Sequence, residues 1–384
     1  MAKKRKAVTI AAAEGFPPAI DALAAAGPPE LRFLRRGWFA AGGESHARTV
    51  TAVRGDGTPV AAIPSRPAGP AMLRARAVPG GYWPFRGVPV AADASDEELH
   101  ALLSDGALNP CWRLGPVYRD AGTLRLRRIA RRAGWTILTR RSGRSWVLDI
   151  AALQAEGPWP RPSTLKKNRA HLRKLEAEGA VAWRTVRGAD WDAATFDALA
   201  AIEAASWIAA TTDGSGAKFL KPEQRAIWEN AVRDPLLAEM LSATILTVGG
   251  RPAAFSLDLT CGALQYGIAS SYDEAFARFR AGRLLAWKQI EDAIAAGVAR
   301  IDWGAGDSGY KREAGAVPGP LIEDHLFVRS GALAAVLRPG WERSFTRSAK
   351  EPDAEWEAER DPLANLPQIL MASMVAAAAA VLGE

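Results

Sequence analysis

The chain has few of the residues that build disulfide frameworks and metal sites. Its 384 residues include two cysteines, Cys111 and Cys261, in distant segments, and four dispersed histidines, His46, His100, His171 and His325. No Cys/His cluster has zinc spacing, so no metal is expected, and a disulfide scaffold gives way to a reducing, cytoplasmic setting. Long apolar runs are also missing. The stretch 369–382 is apolar apart from Ser373; it is shorter than the ~20 residues a spanning helix needs and reads as a terminal packing helix. The basic start MAKKRKAVTI has no apolar core behind it before Glu14, so no signal peptide is expected. There is no P-loop, no HExxH and no GxSxG, which removes the NTPase, zinc-protease and serine-hydrolase frameworks those motifs mark.

One literal motif is present. Gly304-Ala305-Gly306-Asp307-Ser308-Gly309 matches GxGxxG behind a strand. A dinucleotide fingerprint must open a helix, and Gly315, Pro318 and Pro320 stop any long one here. Asp307 inside the turn would repel a pyrophosphate. The balance of 49 basic against 42 acidic side chains, net +7, suits anionic partners such as nucleotide phosphates, tRNA or a membrane surface, without choosing among them.

The most informative stretch is Tyr266 to Gly315. Tyr266 to Ala269 reads as a short strand. From Arg283 to Ala296, Leu284, Trp287, Ile290 and Ile294 recur at helical spacing, and Gly297 is placed to end the helix. Ile301 to Trp303 reads as a second strand. Such a β-α-β unit demands parallel strands, and ligands sit at their carboxyl ends near the helix start.

Elsewhere, hairpins are expected around Gly55-Asp56-Gly57 and Gly249-Gly250, and helices after Ser163, after Asp192 and from Pro222. The two halves repeat an order. TVTAVRGDGTPVAAI parallels ATILTVGGRPAAFSL, and AGTLRLRRIARRAGWTILT parallels AGRLLAWKQIEDAIAAGVARIDW. Two matches in the same order argue for duplication. The first copy has RRSGRSWVLD where the second has GAGDSGYK, so the chemistry is expected in the second copy.

Within the second copy, Arg278, Arg280 and Arg283 surround Ala281-Gly282. Gly282 is expected to let a phosphate approach the backbone, with the amides of Arg283, Leu284 and Leu285 pointing at it. Tyr310 follows the second strand, where a phenol can donate a proton or accept a hydrogen bond, or simply pack. Lys166, Arg169 and Arg173 align on one helical face, as a solvated surface or as a dock for an anionic acceptor or RNA backbone.

STLKKNRAHLRKLEAEG, YDEAFARFRAGRLL and IDWGAGDSGYKREAG, in that order over about Trp146 to Val328, resemble the CelD-type, BioF-like acetyltransferases of the GNAT superfamily, relatives of the FemAB aminoacyltransferases. Asp302, Gly304, Gly306, Asp307, Tyr310 and Lys311 carry the most specific part. The resemblance implies an α/β fold of tandem GNAT-like domains, each a mixed twisted sheet flanked by helices: residues 1–145 without catalysis, 146–345 as the acyltransferase, and 346–384 as a tail. It implies acetyl-CoA or another acyl-CoA as donor, held by Arg278, Arg280, Ala281, Gly282, Arg283, Leu284 and Lys311. Tyr310 would protonate the leaving thiolate, with Asp302, Asp307 and Glu313 as candidate bases. The loop RFRAGRL departs from the superfamily's Q/R-x-x-G-x-G/A pattern. The acceptor would be a small-molecule, cell-envelope or polysaccharide-precursor amine. An aminoacyl-tRNA donor, or a non-catalytic accessory role in polysaccharide synthesis, are the alternatives.

Overall fold

The computed structural model describes residues 8–81, 85–157, 159–211, 217–306 and 309–343. Asp307, Ser308 and the tail 346–384 lie outside them. In chain order the strands are Val8–Glu14 (β1), Arg48–Arg54 (β2), Pro59–Pro67 (β3), Arg76–Ala77 (β4), Cys111–Tyr118 (β5) and Thr136–Asp149 (β6). They continue with Val181–Arg187 (β7), Leu241–Val248 (β8), Arg251–Cys261 (β9), Leu264–Tyr272 (β10), Arg300–Ala305 (β11) and Val317–Val328 (β12).

Two units partition the chain. One takes the described residues up to Gly27, Glu44–Arg144 and those from Pro320 onward; the other takes Pro28–Gly43 and Ser145–Gly319. Strands β6 and β12 therefore contribute residues to both.

In the first unit the strand order is β1-β2-β3-β4-β5-β12-β6. The β2–β3 hairpin turns at Gly57, whose φ of 85° a side chain would strain. The helix Asp96–Ser104 starts on a capping box between Ser95 and Glu98. Trp112 of β5 stacks on Phe327 of β12 with ring centroids 4.0 Å apart. Helix Gly331–Arg343 covers Cys111, Leu138, Leu326 and Val328 with Ala334, Leu337 and Trp341. β12 is inserted between β5 and β6, the two strands joined through helix Ala121–Arg132.

The second unit runs β6-β11-β10-β9-β8-β7. The β8–β9 turn uses Gly249 and Gly250, both at positive φ, 57° and 79°, as a two-residue hairpin requires. Asp192 caps helix Ala193–Ala204 through the Thr195 amide at 2.7 Å, and Pro222 opens its helix at the first position. Helix Pro162–Glu176 does not start on the expected serine: Pro162 takes its first turn and no side chain caps it. Proline's missing N–H is no loss there, and its fixed φ replaces the cap. Helices Pro162–Glu176 and Ala281–Ala295 pack Leu175, Leu284 and Leu285 on Leu246 and Ala254. Phe196, Phe219 and Phe255 form a separate aromatic chain.

Candidate functional site: a parted strand pair and the tyrosine beside it

β10 and β11 are parallel, as the β-α-β reading requires, but pair over only Leu264↔Arg300, Gln265↔Ile301 and Tyr266↔Asp302. β10 continues to Tyr272, and its register against β9 shifts between Gly267 and Ala269. A bulge of this kind bends and twists a strand. Gly267 keeps β10 close to β11, since a Cβ there would meet Trp303 Cδ1 at 2.9 Å. Past that contact the pairing ends, which leaves main-chain groups of β10 without a partner on β11.

Tyr310 lies in this region. It opens the short turn Tyr310–Glu313 behind Gly309, whose φ is 84°. Its hydroxyl lies near that of Ser270, on the parted part of β10, and its ring meets Trp303 edge-on at 5.8 Å. Burial raises the Tyr310 pKa, the Ser270 hydroxyl opposes the rise, and Asp258 adds to it. At neutral pH the phenol is therefore held protonated, as a general acid must be.

Asp258 of β9 was not singled out in the sequence. It is buried, Gln289 Nε2 donates to it at 2.5 Å, and the Gln265 side chain lies close enough to favour its charged form. Trp303 Nε1 donates to Gln289 Oε1 at 2.8 Å, so one network joins β9, the helix and β11. Burial pushes the Asp258 carboxyl up to about 7, against those side chains. The only signal in PAAFSLDL was a charge continuing the alternation Ala254, Ser256, Asp258 inside an apolar strand.

The loop 278–284 has a different geometry from the one expected. Its helix begins at Ala281, not Arg283, behind Arg280 in a left-handed conformation (φ 60°). The amides of Arg283 and Leu284 donate to Arg280 O at 2.9 and 3.1 Å, so they are not the open donors. The open positions are two residues earlier, at Ala281 and Gly282, because a helix leaves its first amides without acceptors. Gly282 owes its missing side chain to Tyr272, whose Cδ1 lies 2.9 Å from where a Cβ would stand. Leu284 is core. Arg278 is exposed, pairs with Glu178 at 3.2 Å and lies over the Phe279 ring.

Arg283 ties the loop to its neighbours. Its Nε donates to Asn168 Oδ1 at 3.0 Å, and its Nη1 is 3.7 Å from Glu313 Oε2, on the turn that carries Tyr310. His171, on helix Pro162–Glu176, has its pKa lowered by burial and then by Lys174, Arg283 and Arg280. The lowering by three cations reports a positive field beside the helix start, which favours an anion.

Two further expected residues have internal tasks. Lys311 is buried, and its Nζ donates to the carbonyls of Trp303, Gly304 and Ala305 at 2.8, 3.2 and 3.1 Å, closing the end of β11. Asp302 Oδ1 accepts from the Gly304 amide at 2.8 Å. Asp307 lies outside the described residues.

Residues 162–312 match the family model of the acetyltransferase (GNAT) domain. That segment of the second unit therefore matches a GNAT acetyltransferase domain. The chain is also similar to the solved structure of FemX, at 12% identity over 83% of this chain and 97% of that one, with a TM-score of 0.51. L-PGS from Bacillus licheniformis aligns at 13% identity over 87% and 98% of the two chains, with a TM-score of 0.48. A tandem GNAT protein from the clavulanic acid biosynthesis pathway aligns at 11% over 83% and 98%, with a TM-score of 0.44. No curated protein matches. No helix among the described residues is long and apolar enough to cross a membrane.

Proposed function

We propose that this protein transfers an acyl group, acetyl in the simplest case, from acyl-CoA to an amine in its second unit. One observation carries the reading: Tyr310 reaches Ser270 on the very part of β10 that has separated from β11. A donor thioester lying there has main-chain groups of β10 for its carbonyl oxygen and a protonated phenol for its sulfur. The donor's phosphates fit the amides of Ala281 and Gly282 and the side chains of Arg280 and Arg283.

The amine attacks the thioester carbon, the C–N bond forms, and the C–S bond breaks. Tyr310 protonates the leaving sulfur. An amine gives up a proton in the same event, and Asp258, held near neutrality, is the acceptor we assign. Asp302 binds the Gly304 amide and is a poorer base for it. The proton gained by Asp258 balances the one lost by Tyr310, and the site resets when that proton passes from Asp258 to the Tyr310 phenolate through solvent or the intervening groups. The first unit is read as a scaffold, since β12 occupies the place between β5 and β6 that stands open between β10 and β11. Both cysteines are buried and free, which is compatible with the reducing, cytoplasmic setting of this reading. The acceptor is a small-molecule or envelope-precursor amine.

A second reading has support. Lys166, Lys167, Arg169, Arg173 and Lys174 are exposed on the helix that packs beside the same loop, which suits the phosphates of an aminoacyl-tRNA donor. Calorimetry with acetyl-CoA, a longer acyl-CoA and aminoacyl-tRNA separates the two. One saturable acyl-CoA site per chain, with turnover of an amine, supports the first. Saturable binding of aminoacyl-tRNA alone, falling steeply with salt, sinks it. Two equivalent acyl-CoA sites would remove the scaffold role of the first unit.

A further inference from the structure

We propose that the first unit binds a phosphate-type oxyanion at the guanidinium of Arg86, beside the Arg113–Asp324–Arg140 cluster. The inference does not rest on the acyl-transfer reading.

The argument is a mismatch of charge and of hydrogen bonds. Asp324 is fully buried and is held by two guanidiniums. Arg113 Nε donates to its two oxygens at 2.9 and 3.1 Å, and Arg113 Nη2 lies 2.8 Å away. Arg140 adds Nε at 3.0 Å and Nη2 at 2.7 Å. Four of these contacts converge on Oδ2, and none of them comes from a third guanidinium. The neighbouring Glu323 is also committed, to Arg127 at 2.9 Å, with Arg119 and His325 at 3.9 and 3.6 Å.

Arg86 is the third guanidinium. It is half-buried and donates through Nη1 to Gly115 O at 2.9 Å, an acceptor that carries no charge. Burial pushes its pKa down to about 10, Arg113 pushes in the same direction, and Asp324 opposes them by less. Three cations thus face one carboxylate. Isolated cations in low dielectric are unfavourable unless paired, so the arrangement calls for an anion.

The cluster is also rigid, as a binding site should be. Arg140 stacks on the buried Trp341 ring at 4.0 Å, and Arg113 sits 5.9 Å from the same ring. Gly115 leaves no slack, since a Cβ there would stand 2.8 Å from the Asp324 Cα. A fork of N–H donors held in place matches phosphate oxygens better than it matches chloride.

The test is thermal unfolding and calorimetry of the full chain in inorganic phosphate and in glycerol phosphate, against chloride at equal ionic strength. Phosphate should raise the Tm of the parent. Arg86→Gln should weaken phosphate binding roughly 10- to 100-fold, the effect of one charge-assisted hydrogen bond. Arg86→Lys should retain part of it. In chloride Arg86→Gln should be at least as stable as the parent, because it relieves repulsion by Arg113, so loss of fold does not confuse the result. Stronger binding of glycerol phosphate would identify a phosphate ester as the ligand; stronger inorganic phosphate would identify the free ion. Arg280→Gln, in the second unit, controls for phosphate bound at the helix start. No phosphate effect on the parent, or an effect lost in Arg280→Gln but kept in Arg86→Gln, overturns the proposal.

Discussion

Gly282 presses its α-carbon against the ring of Tyr272, so that a Cβ would stand 2.9 Å from Cδ1 and 3.1 Å from Cε1. The glycine at the start of the loop helix is therefore a packing requirement. Gly282→Ala should lose about 1–3 kcal/mol of stability, the usual cost of overpacking a tight contact. Urea unfolding measures it, and the double variant with Tyr272→Ala should show a smaller further loss from the alanine. An alanine tolerated without loss would mean the ring moves aside freely.

Arg280 tests the donor site more cleanly than Gly282. Its φ of 60° is one that glycine adopts at no steric cost. Arg280→Gly should keep the backbone turn and remove the cation. Donor affinity should fall roughly 10-fold or more, as for a charged hydrogen bond, while kcat changes little. Unchanged affinity for every CoA donor tried would place the phosphates elsewhere.

Tyr310→Phe removes one hydroxyl and keeps the edge-on contact with Trp303. If Tyr310 is the acid for the leaving sulfur, kcat should fall roughly 10²- to 10⁴-fold with donor affinity nearly unchanged. The measurement is steady-state turnover, with pre-steady-state kinetics to establish that chemistry limits. Near-parental turnover by a folded variant would leave Tyr310 as a packing residue.

Asp258 makes a prediction about pH. Its carboxyl titrates near 7 in the folded chain against 3.8 for the ordinary group. Between those values the folded state holds a proton that the unfolded state has released, so this group lowers stability as pH rises from about 4 to about 7. Asp258→Asn lacks the titration. Relative to the parent, its stability should improve by on the order of 4 kcal/mol from pH 4 to pH 8, a three-unit shift at 1.36 kcal/mol each. Activity of the parent should rise with pH to a plateau above about 7, and the variant should lose that limb. A stability difference that does not change across the window would show that Asp258 ionises normally.

The β-α-β unit, both hairpins and their glycine turns, and the helix from Pro222 were legible from local pattern alone. Each depends on interactions within a few residues: apolar spacing, a proline at a first turn, glycines at positive φ. The mixed α/β sheet was expected from the resemblance to GNAT acetyltransferases, and residues 162–312 match that domain. The loop helix starts two residues before the expected Arg283, because Arg280 adopts the left-handed conformation that its residue type does not advertise.

What the tertiary structure decided is of another kind. Asp258 acquires its character from Gln289, 31 residues on, and from burial that no local motif encodes. Lys311 looks like a phosphate ligand in GDSGYK and is instead folded back onto the carbonyls of β11. Arg113, Arg140 and Asp324 meet only because β12 returns to pair with β5, more than two hundred residues earlier in the chain. Sequence by itself determined the elements, since local sterics and hydrophobic period act over a few residues. Which charges share a buried site was decided by strand order, since only the finished sheet sets which side chains lose water together.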